Sequence, residues 1–412
     1  MTLDRFVRPT SRQLVTGWVA GRVDVGLLPS SEFGARRALE RCVLAALIGG
    51  RTCFVSFSGG RDSSAVLAVA THVARREGVA LPVPVTLTYP GLPDTDEAQW
   101  QELVLRHLGI TERVVVPIRG EMSLLGPYAQ DSLRRRGLLW PAAFQVQHGL
   151  FSQIASGHLL TGEGGDEIIG IRRGTPIGLV FRARRRPGRP LVKAAALAVL
   201  PSRLTGRRQR SGSLAQYQPW LTPRAVAIRM AEMAEFGAMP LSWRASTWWL
   251  LGRSAIHALI QNYRELGVDY QAKVSHPLLD TGFVAALARE GGLWGYPGRT
   301  ALMRHLFSDV LPDALLSRSS KARFNTSRYT DVERDFARGW DGSGVDTGLV
   351  DVERLRAYWL SPNASSGPGL LMQSVWMQQQ GLDPFAYTGK SAEAAGSQPS
   401  NRLVTDPSSK TS

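Results

Sequence analysis

Thr52-Cys53-Phe54-Val55-Ser56-Phe57 runs directly into Ser58-Gly59-Gly60-Arg61-Asp62-Ser63-Ser64, and this junction decides the fold. The first six residues are mostly β-branched, aromatic or apolar, a run that reads as a buried strand. Two glycines end it. Residues 62–77 then place apolar side chains at Val66, Leu67, Val69, Ala70 and Val73, the spacing of a helix face. Strand, glycine turn and helix, in that order, open a parallel α/β unit.

The same pattern extends outward. Upstream, residues 32–47 carry helical spacing at Leu39, Val43, Ala46 and Leu47. Downstream, residues 83–89 read as a second strand, and residues 94–108 as a helix with Asp96 and Glu97 in its first turn. Residues 113–118 make a third strand. A helix over 144–155 leads to a fourth strand at 158–161, closed by Gly162-Glu163-Gly164-Gly165-Asp166-Glu167. The expected fold is α/β, a doubly wound parallel sheet with a mainly helical C-terminal part. Ligands of such sheets sit at the carboxyl ends of the strands, where both glycine loops lie.

Five segments are expected: a leader and helix over 1–45, an α/β core carrying both glycine loops over 46–170, and a basic mobile insertion over 171–212. A helical part over 213–388 and a disordered tail over 389–412 complete the chain. In the helical part Trp243, Trp248 and Trp249 read as core.

The first loop has the features of an anion cradle. A glycine turn before a helix aims backbone N–H groups outward, and the helix terminus adds partial positive charge. Ser58, Ser63 and Ser64 add hydroxyl donors. No lysine is present, so this is not the loop that grips β and γ phosphates in ordinary ATP hydrolysis. A turn that merely connects two elements would explain Gly59 and Gly60, but not three hydroxyls and an aspartate in seven residues. Asp62 beside a phosphate calls for a cation, and magnesium prefers carboxylate and phosphate oxygens. Asp166, at the same sheet edge, would be the second carboxylate; the alternative is that both are ordinary helix N-caps.

Charge points the same way as often as it misleads. The 412 residues carry a net charge of +15, and residues 168–231 contain no acidic residue at all. The arginines and lysine of 172–210 read either as a solvated insertion or as a docking surface for an acidic partner, a peptide or a carrier. Nucleic acid is the less favoured partner. Two cysteines, Cys42 and Cys53, suit a reducing compartment, and no signal peptide or apolar span is evident. A cytoplasmic protein without membrane contact is expected.

Four blocks in order carry a resemblance. Residues 58–64, 162–167, His276-Pro277-Leu278-Leu279-Asp280 and 299–324 together resemble the synthetase domain of the asparagine synthetase family. The last block includes Arg299 to Arg304, Leu311-Pro312 and Arg318-Ser319-Ser320-Lys321-Ala322-Arg323-Phe324. The resemblance implies a sheet of the adenine-nucleotide α-hydrolase type and a carbon–nitrogen ligase that adenylates a carboxylate with ATP and magnesium and passes it to an amine. It implies pyrophosphate contacts from Ser58, Gly59, Gly60, Ser63 and Ser64, and nucleotide contacts from Leu87, Thr88, Gly162, Glu163 and Gly164. Asp62 and Asp166 would hold the metal, and Lys321 would be the catalytic lysine. Its alternative is a surface lysine in a basic loop, because one extra residue separates it from Arg318.

Two departures shape the expected substrate. Thr2 stands where the family's glutaminase cysteine would be, and about fifty residues precede the first loop, so no glutaminase domain and no glutamine-derived nitrogen are expected. The family glutamate four residues before Pro277 is Lys273 here, and the arginine two before it is Ser275. Asp269 or Tyr270 would replace the lost acid if the alignment slips by a helical turn. The nucleophile is then expected to be an amine already on the substrate, as in relatives that close lactam or macrolactam rings. A transfer-RNA-modifying ATP pyrophosphatase and a non-catalytic nucleotide-binding family member are the alternatives.

Overall fold

The computed structural model describes residues 5–385 except 184–185, 201–213, 215, 321, 323–327, 363 and 365–366. Its centre is a sheet of five parallel strands, β1 (Cys53–Ser56), β2 (Val83–Thr88), β3 (Val114–Pro117), β4 (His158–Leu160) and β5 (Lys273–Ser275). The spatial order is β3-β2-β1-β4-β5. The chain therefore steps outward from β1 to β3 and returns to the other side of β1 as β4. The loops after β1 and β4 diverge at that switch point, the place where open α/β sheets bind ligands.

Strand alternation explains why both faces are covered. Cys53, Val55 and Phe57 point to one face, where they join α1 (Ala35–Leu47), α2 (Arg61–Glu77) and α3 (Ala98–Leu108) in one apolar core. Phe54, Val85 and Leu159 point to the other, against Phe144, Phe151, Tyr263 and Leu266. The last two lie on α4 (Ser254–Asp269). A third core, with Trp220, Trp340 and Trp359, joins Leu14 and Val15 to the C-terminal helices. Trp243 and Trp249 are buried in the first core, with Trp248 packed against it.

Several elements differ from the sequence expectation. β5 was not anticipated, because three residues containing lysine and serine form no β-branched run; it exists through its register with β4, Val274 opposite Leu159. The helix expected over 94–108 splits into a 3-10 turn at Pro93–Thr95 and α3. The Asp96 carboxylate accepts a bond from the Ala98 amide at 2.8 Å just ahead of α3, so neither acid lies in the first helical turn. The helix expected over 144–155 is a 3-10 segment, Ala142–Val146, followed by a single turn, His148–Phe151.

The basic stretch is helical over Thr175–Arg182 and Arg189–Val199. Arg172 is buried, stacked over the Trp243 ring at 4.7 Å, and donates to the Ile168 carbonyl at 2.6 Å. Arg173 donates to the carbonyls of Ala198, Gly237 and Leu200. These two arginines are structural donors for helix ends and not members of a solvated run. Arg186, Arg189 and Lys193 are exposed. No helix among the described residues is long and apolar enough to cross a membrane.

Candidate active site

The first loop is organised by its own hydroxyls. The Ser58 amide donates to Ser63 Oγ at 3.2 Å, the two serine hydroxyls lie 3.0 Å apart, and the Gly60 amide donates to Ser58 Oγ at 3.3 Å. Gly59 has φ +83°, and a Cβ there would strike Gln101 and the Glu97 carbonyl. No side chain caps α2 at Gly60, so its terminus keeps its partial positive charge toward the loop. Ser64 Oγ is buried without a hydrogen-bond partner. An orphaned hydroxyl beside an uncapped helix start suits an anionic ligand such as a phosphate.

The second loop is pressed onto the first. A Cβ on Gly162 would lie 2.7 Å from the Ser63 amide, and one on Gly165 would lie 2.2 Å from Asp62 Cγ. Only glycine permits this approach, which is why the loop needs so many. Gly164 packs against Leu279, tying the loop to the segment after β5.

Arg299 joins the two loops electrostatically. Its Nη2 donates to both Asp62 oxygens, at 2.5 and 2.6 Å, and its Nη1 lies 2.9 Å from Asp166 Oδ1. Nη1 also donates to the Gly165 carbonyl at 3.2 Å. The two carboxylates expected to hold magnesium are thus brought together, around a guanidinium. Among the described residues no three His, Cys, Asp or Glu side chains converge. Two carboxylates fit magnesium all the same, since that ion commonly takes one or two from protein and the rest from phosphate and water.

Glu97 and Arg318 form a buried ion pair, their side chains 5% and 4% exposed. Arg318 Nη1 donates to the Gly59 carbonyl at 3.1 Å and Nη2 to Glu97 Oε1 at 2.5 Å, and its guanidinium lies over Trp100 at 4.6 Å. The Ala322 amide donates to the same Glu97 oxygen at 2.8 Å. Lys321 lies outside the described residues, but the chain on both sides of it is anchored on Glu97. Leu87 and Thr88 end β2 as expected; the Thr88 carbonyl accepts from Ile118 at 2.7 Å, and Leu87 packs with Ile118 and Met122.

Glu163, expected at the nucleotide, turns its carboxyl to Tyr263, whose hydroxyl donates to it at 3.2 Å. Burial pushes the Glu163 carboxyl above its ordinary value, against the opposing effect of that bond. The Tyr263 ring meets His276 edge-on at 4.9 Å. His276 Nδ1 lies 2.7 Å from Thr161 Oγ1, and burial lowers its pKa to about 4, so the ring is a neutral positioning group.

A model of the asparagine synthase family matches residues 34–380. The chain belongs to that family. Its members are ATP-dependent amide ligases in general terms. No curated protein matches the chain.

The residues that the sequence singles out on the acceptor side have places and partners of their own. Lys273 pairs with His158 at the amino end of β4 and is exposed. It is four residues from the loop along β4, about 13 Å at the rise of a strand. Asp269 is bound to Arg136 at 2.6 Å and to Arg5 at 3.0 Å, and the Tyr270 hydroxyl lies 2.8 Å from His148 Nδ1. Asp269 is thus committed to two arginines and the Tyr270 hydroxyl to a histidine. Tyr263 on α4 and Arg299, Arg318 and Glu97 around the loops escaped the sequence reading as a set. Only Arg299 and Arg318 carried a signal there, inside the last resemblance block.

Proposed function

We propose that this chain adenylates a carboxylate at the paired loops 58–64 and 162–166 and transfers the acyl group to an organic amine. The observation that carries the reading is the convergence of Asp62, Asp166 and Arg299 where the uncapped helix and the glycine loops meet. Ser58, Ser63, Ser64 and the Gly60 amide would hold the pyrophosphate part of ATP. Magnesium would be held by Asp62 and Asp166 and would neutralise the polyphosphate. Arg299 supplies a cation to the same charge, and Lys321 would supply another near the acyl centre.

In the first step a carboxylate oxygen attacks the α phosphorus, the bond to the bridging oxygen breaks, and pyrophosphate leaves. In the second the amine attacks the acyl carbon and AMP departs. The amine's proton needs an acceptor, and Glu163 is the buried carboxylate at hand, with Tyr263 orienting it. An acidic peptide or carrier would dock on the exposed Arg186, Arg189 and Lys193, beside the exposed Phe181 and Val192.

The test is exchange of labelled pyrophosphate into ATP with magnesium and a panel of carboxylic acids. Exchange that needs both an acid and magnesium supports the reading; none with any acid overturns it. A second expectation separates the two half-reactions. Glu163→Gln keeps pyrophosphate exchange within a few-fold but slows amide formation about 10²–10⁴-fold. Because burial raises the Glu163 pKa, its basic form fills in at higher pH than that of an ordinary carboxylate. Wild-type amide formation therefore climbs with pH through a value above 4.5, and the variant loses that limb. An unchanged profile removes Glu163 as the acceptor.

A further inference from the structure

The second loop borders a cavity of about 240 Å³. Glu163, Gly164 and Leu279 line it on the loop side; Trp18, Trp140 and Leu259 line it with apolar surface, and Glu167 and Arg253 add charge. Trp18 is held by two guanidinium groups, Arg229 at 4.2 Å and Arg253 at 5.3 Å from its ring. The Trp140 carbonyl accepts from Asn262 at 3.0 Å, which fixes that residue on α4. The cavity walls are therefore built, and no part of the family resemblance accounts for Trp18 or Trp140.

We infer that this cavity is the acceptor pocket and that it takes a primary amine on an aromatic or bulky aliphatic body. Location supports it, since Glu163 and Gly164 line the cavity and belong to the loop whose Gly162 and Gly165 lie against Ser63 and Asp62. Charge supports an amine over a carboxylate: two carboxylates face one guanidinium. Arg253 is already set against Glu167, whose charge opposes the effect of burial on it. Glu163 accepts from the Tyr263 hydroxyl through one oxygen and feels the charge of Arg328, which does not line the cavity; the ammonium would meet its other oxygen. Volume limits the occupant to a group of single-residue size, and two indole rings favour a flat or branched apolar body. Ammonia would gain nothing from such walls.

The inference rests on the proposed ligase reading, but its test does not use turnover. Binding of phenethylamine, methylamine and phenylacetate is measured by titration calorimetry with magnesium ATP present. Phenethylamine is expected to bind at least about tenfold more tightly than methylamine, the gain from burying one ring. Phenylacetate is expected to bind more weakly than phenethylamine. Trp140→Ala, which hollows the cavity, and Leu259→Trp, which fills it, should each erase the tenfold preference. The ATP-induced rise in melting temperature reports, in the same samples, whether each variant is folded. Equal binding of the two amines, tighter binding of phenylacetate, or a folded variant that keeps the preference overturns the acceptor pocket. Absence of pyrophosphate exchange with any acid would instead overturn the ligase reading.

Discussion

Asp62→Ala is expected to lower magnesium-dependent pyrophosphate exchange by about 10²–10³-fold, the usual cost of removing one electrostatic group from a charge-stabilising site. Both oxygens of Asp62 are committed to Arg299; its backbone lies under Gly162 and its side chain under Gly165. Two roles are therefore in play: a ligand for magnesium and a counter-ion that holds Arg299. They separate in a double-mutant cycle. If Asp62 only positions Arg299, then Asp62→Asn adds no loss once Arg299→Met is in place. If it holds the metal, Asp62→Asn loses exchange in either background and raises the magnesium concentration needed for half-maximal rate. The single variant should remain folded, because the Asp62 side chain is 20% exposed and Arg299 keeps Asp166 and the Gly165 carbonyl. Exchange unaffected by Asp62→Ala would remove the aspartate from the reaction.

The sheet and both glycine loops were legible because they are local. A β-branched run, two glycines and a helical spacing lie within 26 residues of one another, from 52 to 77, and the loop after β4 repeats the signal. β5 was not legible, since its three residues become a strand only through pairing with β4. The same holds for the site. Asp62 and Asp166 could be chosen from their loops, but Arg299 reaches Asp62 across 237 residues of chain and Asp166 from a distant segment as well. The Glu97–Arg318 pair spans 221 residues, and nothing in the periodicity of α3 marks Glu97 as other than a solvated acid. Long-range pairing of charges is a product of packing, so it is read from structure. The acceptor side shows the opposite failure: Lys273 drew attention by sequence position, yet its place at the amino end of β5 puts it away from both loops.

The largest effect on stability is expected at that buried pair. Arg318→Met removes the cation and leaves the Glu97 carboxylate with the Ala322 amide, at 5% side-chain exposure. Breaking a buried pair from one side costs about 3–5 kcal/mol, because the remaining charge is desolvated without compensation. Denaturant unfolding should show this as a lower midpoint with an unchanged slope. Removing both charges, as Glu97→Leu with Arg318→Met, should recover most of that loss, since an apolar pair of similar volume tolerates burial. Activity should not recover with it. The Gly59 carbonyl has lost its donor and the Ala322 amide its acceptor, so neither the first loop nor the chain flanking Lys321 keeps its anchor. A stable double variant with pyrophosphate exchange still depressed would show that the pair serves to place the loop and Lys321. Wild-type exchange in the double variant would reduce Glu97 and Arg318 to a packing element.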